Sequence, residues 1–371
     1  MLNKLTLTNF KCFESEEIDL KPLTLLSGIN GMGKSTVIQA LLLLRQNYNR
    51  FSKDINNTFI LNDQLVQLGT VKDLLYQYFS KKEIVIKIEL DENEECEFML
   101  NCVDTNNDTV PSKSTLSENI PFYGESLFSE NFHYLNAERI GPRNYYETSQ
   151  LKIKHENQLG IRGEYAAHYF AENRSNPIAI KGLGHKNSTG DTLYEQLNAW
   201  LSEIRPGTKI DASNNYDMNL VSLSYRFIGG MDISNTFRPI NVGFGLTYIF
   251  PLLVIILSSK PGTLLLLENP EAHLHPAGQA QIGKLLAIAA AHGIQIIVET
   301  HSDHILNGIR VAVKEGDIEP EKVNFLYFKG DVINGKFIHF TENVEIYKNG
   351  KLSHRPVGFF DEWDKQLTNL I

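Results

Sequence analysis

The hydrophobic and polar positions of the chain form two kinds of pattern. Short apolar or alternating runs predict strands, and longer runs without Gly or Pro predict helices. Residues 5–10 and 23–28 predict strands, and the stretch VIQALLLLRQ after the second strand predicts a helix. Residues 82–103 alternate on both sides of the turn DENE, which indicates a β-hairpin.

The middle of the chain is less regular. The polar, turn-rich stretch 104–121 predicts a loop or a mobile insertion. Farther on, residues 163–173 and 191–204 predict helices, and residues 219–227 predict a strand.

The last third alternates helices and strands. The predicted order is helix 245–258, strand 263–267, helix 277–292, strand 294–300 and helix 302–314. Continuous apolar strands between helices are typical of a parallel sheet covered on both faces. Residues 323–328 and 336–341 predict edge strands, and a terminal helix is expected from about residue 360.

Composition narrows the class of protein. With 371 residues, 42% hydrophobic and 21% charged, the chain is ordinary for a soluble protein with a sizeable core. The net charge of −9 disfavours a surface dominated by phosphate-binding Lys and Arg, although a local basic groove remains compatible with it. Cys12, Cys96 and Cys102 show neither metal-ligand spacing nor a disulfide framework, which fits a reducing compartment.

Two observations predict a cytoplasmic protein without membrane association. The N-terminal segment alternates like a strand and does not have the continuous apolar run of a signal peptide. The longest apolar stretch, residues 248–257, is shorter than the ~20 helical residues that cross a bilayer.

The segment GINGMGKST (28–36) fits the phosphate-binding pattern G-x-x-x-x-G-K-[ST], and it lies between a predicted strand and a predicted helix. Glycines let main-chain N–H groups surround a phosphate; Lys34 would reach the β- and γ-phosphates, and the Ser35 hydroxyl would bind Mg²⁺. The alternative is a glycine turn before an ordinary helix. ATP and Mg²⁺ are the predicted cofactors. The expected nucleotide contacts are Asn30, Gly31, Gly33, Lys34, Ser35 and Thr36.

Several motifs together resemble a known family. LTLTNFKCF, GINGMGKST, LLLLENPEAHLHP and IIVETHS, in that order, resemble the ABC-type ATPases of the SMC, RecF and OLD (overcoming lysogenization defect) group. The resemblance is strongest to the prokaryotic AAA-type ATPases that carry ENPEAHLHP. YLNAERIGPR and GIRGEY also recur in that group, and YKNGKLSHRPVGFFDEW is similar to its short C-terminal domain of unknown function.

The resemblance implies an α/β fold, a P-loop NTPase of ABC-ATPase type whose mixed sheet is flanked by helices and carries an inserted α/β lobe. It implies four regions: the N-terminal part of the ATPase domain with the P-loop, an inserted lobe with connecting strands, the C-terminal part of the ATPase domain, and a small C-terminal domain. Their expected bounds are 1–50, 51–235, 236–330 and 331–371.

The family pattern assigns roles to residues of the last third. Glu268 matches the acidic residue that ends the Walker B strand and holds magnesium. His301 matches the switch histidine at the γ-phosphate, with a helix-capping or core histidine as the alternative. Gly243 and Gly245 stand where the ABC signature loop binds a γ-phosphate held by a second protomer, with a bulge or tight turn as the alternative. The resemblance therefore implies a homodimer or higher homo-oligomer around the nucleotide.

Asn269 stands where many ABC ATPases have the catalytic glutamate. An amide has no lone pair basic enough to take a proton, although it can orient water. Loss of a general base typically costs ~10²- to 10⁴-fold in rate, so slow hydrolysis is expected. Glu271 is a candidate replacement for the base, and an exposed loop or helix-capping carboxylate is the alternative.

Three further features leave their interpretation open. His273 and His275 form a His-x-His pair that suggests zinc, but no carboxylate or thiol at a convincing spacing completes a site. HSDH either places His301 and His304 on one helical face or contains a switch histidine followed by an exposed neighbour, and the second interpretation is favoured. Arg139 is either a phosphate sensor or a structural ion-pair partner.

About 70 residues follow His301 and contain no acidic cluster of the kind a magnesium nuclease needs. We therefore expect an ATPase module that controls a separate effector, such as a nuclease or toxin, in prokaryotic anti-phage defence or genome maintenance. One alternative is a nucleotide-gated scaffold with little turnover that holds such a partner inactive. A DNA-repair ATPase is disfavoured by the acidic balance and the lack of a long coiled-coil pattern.

Overall fold

The structure is a computed structural model that describes residues 1–51, 58–90, 94–114, 126–230, 232–356, 358–359 and 367–370. The first strands are β1 (Leu2–Phe10), β2 (Phe13–Asp19), β3 (Leu23–Gly28), β4 (Thr58–Ile60), β5 (Glu83–Leu90), β6 (Glu95–Asn101), β7 (Thr109–Ser114) and β8 (Phe132–Leu135). They are followed by β9 (Tyr146–Glu147), β10 (Thr208–Asn215), β11 (Leu220–Gly229), β12 (Asp232–Ile233), β13 (Leu264–Glu268), β14 (Gln295–Glu299), β15 (Val323–Ile333) and β16 (Lys336–Asn343). The helices are α1 (Lys34–Phe51), α2 (Val71–Leu74), α3 (Ala166–Asn173), α4 (Leu193–Ile204), α5 (Phe244–Ser258), α6 (Pro276–Ala291) and α7 (Asp303–Glu315).

The chain divides into two compact units. Unit 1 contains Met1–Ser129, Val323–Glu345 and Leu352–Ile371, and unit 2 contains Glu130–Lys322 and Ile346–Lys351. The four regions expected from the family resemblance stay a prediction, because a division by compactness does not test them.

Unit 1 contains a six-stranded antiparallel sheet in the order β2-β1-β5-β6-β7-β4. Every second side chain of β5 and β6 is buried, as the alternating sequence predicts for a sheet with one covered face. The buried set in these two strands is Ile84, Ile86, Ile88, Leu90, Cys96, Phe98 and Leu100.

A second strand group in unit 1 carries the glycine-rich loop. β3 pairs in parallel with β15, and β15 pairs antiparallel with β16. Three of the six residues of β3 are leucines with fully buried side chains, and helix α1 begins six residues after the strand. The loop 28–33 is therefore held between a buried strand and a helix.

Unit 2 contains the parallel strands β8, β13 and β14, with β13 in the middle. The hydrophobic side chains of β13 and β14 are all buried, which confirms the predicted covered parallel sheet. Helix α7 begins at the N-cap Ser302, whose Oγ accepts a hydrogen bond from the Ile305 N–H, and ends at Gly316 with φ 83°.

The remaining strands of unit 2 form a smaller antiparallel sheet from β10 and β11, which β9 and β12 extend. Helix α4 begins with a capping box, in which Thr192 and Glu195 satisfy each other's main-chain N–H groups. No helix in the described ranges is long and apolar enough to cross a membrane.

Two sequence predictions about the fold are wrong. Part of the expected loop 104–121 is strand β7, whose polar sequence is held by pairing with β6 and β4 on its two sides. β15 is not an edge strand, since β3 and β16 pair with its two sides. The helix expected from about residue 360 lies mostly outside the described residues, and 367–370 are helical.

Candidate functional site

The glycine-rich loop of unit 1 has a backbone that only glycine adopts easily. Gly28, Gly31 and Gly33 have φ angles of 139°, 77° and 102°. A Cβ on Gly28 would lie 2.2 Å from the Phe328 carbonyl oxygen, and one on Gly33 would lie 2.7 Å from Cys12 Sγ. The glycines of the motif are therefore required by conformation and by close approach.

Lys34 turns back over this loop from the first turn of α1. Its Nζ donates to the carbonyl oxygens of Gly28 and Ile29 at 3.0 and 2.9 Å, and the residue is only 3% exposed. Ser35 is exposed beside it. A buried ammonium at a helix N-terminus gives the loop the charge that a phosphate-binding site needs.

The other predicted nucleotide contacts of unit 1 lie along the same loop. Asn30 and Gly31 are exposed, whereas Thr36 is buried, and its N–H donates to the Gly33 carbonyl at 3.1 Å. The Thr36 hydroxyl lies 3.7 Å from Cys12 Sγ, so it helps to fix the helix start.

Glu268 ends β13 in unit 2, as the sequence predicts. Its carboxylate accepts the Tyr134 hydroxyl at 2.9 Å and the Ala137 main-chain N–H at 3.2 Å. Burial and the nearby Glu268 carboxylate raise the pKa of Tyr134, so its hydroxyl stays a donor. Sequence reasoning missed Tyr134, because the strand β8 that delivers it was not predicted.

Arg139 lies behind the end of β13 and is almost completely buried. Its two terminal nitrogens donate to the main-chain carbonyl oxygens of Glu268 and Asn269. Burial lowers its pKa to about 10, which leaves the guanidinium charged at neutral pH. Of the two open readings, the structure favours a structural role, because Arg139 holds the backbone of the ENPE turn.

Asn269 begins this turn with a φ of 44°, a left-handed conformation that Asn tolerates better than most residues. Its main-chain N–H donates to the Glu299 carbonyl at 2.8 Å. Its side-chain Oδ1 is buried and has no hydrogen-bond partner among the residues that the structure describes. An acceptor is thus fixed at this position.

Glu271 is half-buried, and its carboxylate contacts the switch segment. Oε1 accepts the His301 main-chain N–H at 2.8 Å, and Oε2 is buried with no partner in the described part of the chain. Burial raises its pKa, while hydrogen bonds from His301 and Thr300 and the Arg139 charge oppose the rise. Glu271 is therefore not the exposed loop carboxylate that was one of the alternatives from sequence.

His301 follows β14 and precedes α7, with its side chain exposed. His304 lies inside α7 and is 3.5 Å from Asp303. The two histidines do not share a helical face, because only one of them is in the helix.

Gly243 and Gly245 flank the start of α5 but differ in their surroundings. Gly243 is the N-cap, and nothing lies within 4 Å of a Cβ built there. A Cβ on Gly245 would lie 2.4 Å from the His273 carbonyl oxygen. Gly245 is therefore required for packing, while Gly243 leaves open space at the helix N-terminus.

The His-x-His pair has structural contacts. His275 Nδ1 accepts the Ala277 N–H as the N-cap of α6, and His273 packs against the rings of Phe244 and Tyr248. No group of three or more His, Cys, Asp or Glu within the described ranges is arranged to hold a metal ion.

The sequence-predicted site residues fall into two sets. Unit 1 contains the phosphate loop, and unit 2 contains Glu268, Asn269, Glu271 and His301 within one cluster of contacts. Gly243 and Gly245 also belong to unit 2.

Family models match most of the chain. Residues 1–225 match the family described as "AAA ATPase domain", and residues 155–307 match "AAA domain, putative AbiEii toxin, Type IV TA system". Residues 318–370 match "Protein of unknown function (DUF3696)". Comparison with curated proteins gives no match.

Two solved structures have the same fold. A crystal structure of "the SmcHead bound to the C-winged helix domain of ScpA" has a TM-score of 0.53 at 14% identity, covering 94% of this chain and 98% of that one. A Smc head with an extended coiled coil, bound to the C-terminal domain of ScpA derived from Pyrococcus furiosus, has a TM-score of 0.51 at 13% identity. It covers 100% of this chain and 99% of that one.

The chain has the fold of SMC heads and contains a phosphate loop of P-loop type, which confirms the predicted fold class. More than half of the sequence matches a single family model, and the chain therefore belongs to the AAA ATPase domain family. The expected C-terminal domain of unknown function is also confirmed.

Proposed function

We propose that this ATPase binds ATP with Mg²⁺, hydrolyses it slowly, dimerises around the nucleotide and controls a separate effector protein. The observation that carries the proposal is the phosphate loop, with three left-handed glycines and a buried Lys34 that donates to loop carbonyls. Bound phosphate would take the ammonium from those carbonyls and accept hydrogen bonds from the loop N–H groups.

The oxygen donors of the chain fit Mg²⁺, which prefers oxygen ligands and keeps several waters. Ser35 presents a hydroxyl at the exposed first turn of α1, and the Glu268 carboxylate is held by Tyr134 and Ala137. When bound, Mg²⁺ neutralises negative charge on the phosphates. Ser35 and Glu268 are the residues that we assign to it, with Glu268 acting through water.

Glu271 is the carboxylate that we assign to water activation in place of Asn269. Its raised pKa makes it a stronger base than an ordinary glutamate, and its buried Oε2 is available to accept a proton. Asn269 orients the water through its buried Oδ1, and His301 contacts the γ-phosphate. Because phosphoryl transfer depends mainly on positioning and charge, this arrangement supports slow turnover.

A nucleotide-gated scaffold with little turnover is the second candidate function, and Asn269 is the observation that favours it. Both candidates include a protein partner. Two structural neighbours are described as Smc heads bound to domains of ScpA, and one matching family description names a toxin–antitoxin system. A nuclease or toxin partner in anti-phage defence or genome maintenance is our extension from that family context.

The test compares wild type with Lys34→Ala in nucleotide binding and in phosphate release. The variant should lose about 100-fold or more in affinity for ATP, since the proposed contacts of the Lys34 ammonium with the β- and γ-phosphates are both removed. Lys21→Ala is the matched control, because Lys21 also donates to a main-chain carbonyl in unit 1, that of Val323 at 3.2 Å. Equal affinity in wild type and Lys34→Ala would contradict the assignment of the loop.

Phosphate release separates the two candidate functions. A slow ATPase releases phosphate above the Lys34→Ala background, with a rate that saturates in ATP. Tight ATP binding by wild type with no release above that background would favour the scaffold.

A further inference from the structure

One face of the β15–β16 hairpin packs against the phosphate loop within unit 1. Strand register places Phe328 opposite Thr341 and Gly330 opposite His339, so these four residues share a face. On this face the Phe328 ring lies 6.4 Å from the ring of Phe13, and the Thr341 hydroxyl donates to the Glu16 carboxylate on β2. The Phe328 main chain pairs with Gly28, where the phosphate loop begins. This face therefore adjoins both the phosphate loop and the first hairpin.

His339 is the histidine on that face. Main-chain groups of Cys12 and Gly31 face its ring, and Gly31 is a left-handed residue of the phosphate loop. The ring is edge-on to Phe337 at 5.0 Å. Its Nδ1 is buried and has no hydrogen-bond partner within the described residues. The function proposed above gives this imidazole no role.

Ionisable groups lie on both faces of the β15–β16 hairpin around His339. Cys12 and Glu16 lie on the side of the first hairpin, and burial raises the pKa of both, which favours their neutral forms. On the opposite face of the β15–β16 hairpin, Lys329 is ion-paired with Glu342. Lys34, in the first turn of α1, donates to the carbonyl oxygens of Gly28 and Ile29 in the loop.

Burial lowers the pKa of His339, while the main-chain groups of Cys12 and Gly31 favour the protonated ring. The net effect is a lowered pKa, so the environment of His339 favours the neutral ring. A phosphate anion bound in the loop opposes the effect of burial, because it stabilises a nearby cation.

We propose that His339 is a positioning residue of the phosphate loop, which takes up a proton when nucleotide binds and then holds Gly31 while adding positive charge beside the phosphates. This inference rests on the proposed nucleotide binding, and it adds that pH regulates the affinity for nucleotide. Binding and proton uptake are linked in both directions, so acidification through the His339 transition strengthens binding.

The experiment measures the affinity of the wild-type chain for a non-hydrolysable ATP analogue with excess Mg²⁺ at pH 7.5, 6.5 and 5.5. The wild-type affinity should rise on acidification by ~10-fold more than that of His339→Asn, the order expected for one added charge near phosphate. His339→Gln should match His339→Asn in pH dependence, because it also cannot be protonated.

His354→Asn is the matched control. His354 also belongs to unit 1, but it is exposed and pairs with Glu342 at 2.6 Å. It should retain the wild-type pH dependence. Glu16→Gln tests the carboxylate on the same face, and it should also retain the wild-type pH dependence.

Calorimetry in two buffers of different ionisation enthalpy counts the protons taken up by wild type, so the test does not depend on the folding of a variant. Net uptake near pH 6 that His339→Asn removes supports the proposal. Equal pH dependence in wild type and His339→Asn, no proton uptake by wild type, or a pH dependence lost only in Glu16→Gln overturns it. Absence of nucleotide binding by wild type at every pH would instead overturn the proposed function, and the proton linkage with it.

Discussion

Replacement of Glu271 by Gln separates a general base from a structural carboxylate. The amide oxygen of Gln can still accept the His301 main-chain N–H that Glu271 Oε1 accepts at 2.8 Å. The side chain keeps its length, so the backbone of the switch segment should keep its position. What the substitution removes is the negative charge and the ability to take a proton.

The expected loss follows from the role of a base. Removal of general-base catalysis typically lowers the rate ~10²- to 10⁴-fold, which is roughly 3 to 5 kcal/mol in activation free energy. We expect this loss in kcat, with the affinity for ATP little changed, because a general base acts on the attacking water in the transition state and does not hold the bound ATP.

The assay is phosphate release at saturating ATP over pH 5 to 8, together with thermal unfolding. The Glu271 pKa is raised, so the wild-type rate should increase with pH through a value above 4.5, and this dependence should be lost in Glu271→Gln. A raised carboxyl pKa means that the folded state binds the proton more tightly than the unfolded state. Stability contributed by Glu271 therefore falls as pH rises through that window, and Glu271→Gln should be no less stable than wild type at pH 7.

A kcat within threefold of wild type in a folded Glu271→Gln protein would refute the assignment of the base. A rate loss matched by an equal loss of stability at pH 7 would also refute it, since it would indicate a structural role.

Four other substitutions test the remaining assignments. Asn269→Glu should raise kcat by ~10-fold or more if water activation limits the wild type, and an unchanged rate would count against that limit. Glu268→Gln should nearly eliminate phosphate release while ATP still binds, because it removes the charge assigned to magnesium. Gly243→Asp should weaken nucleotide-dependent dimer formation in light scattering, whereas Gly243→Ala should not; Asp is a preferred N-cap residue, so folding should be retained. Arg139→Lys should lower the free energy of unfolding by about 1 to 3 kcal/mol in urea titration, since Lys cannot serve both carbonyls.

The local pattern of hydrophobic, polar and glycine positions predicted the strands, loop and helix that carry the candidate site residues. The loop glycines, the apolar strand that ends in Glu268 and the helix after His301 are each encoded by neighbouring residues, and the structure contains all of them. Glu271 shows the limit of this reasoning. Its contact with His301 joins residues 30 positions apart, and no local pattern indicates that a loop carboxylate is buried there.

The sequence prediction of a loop in the region of strand β7 was wrong for a related reason. Its sequence contains Pro111 and four hydroxyl or charged side chains, which indicate a loop when they are read alone. Pairing with β6 and β4 overrides that preference, because strand propensity depends on the neighbours. Tyr134 was missed because its strand has only four residues.

The pairing of β15 with β3 means that the C-terminal family region supports the N-terminal phosphate loop. Residues 318–370 match a family of unknown function, yet strand β15 within them lies beside β3, and the Phe328 carbonyl lies against Gly28. A truncation before residue 318 would remove the strand that supports the phosphate loop. The region is therefore not a detachable module, because one of its strands pairs with the strand that leads into the phosphate loop 300 residues earlier in the chain.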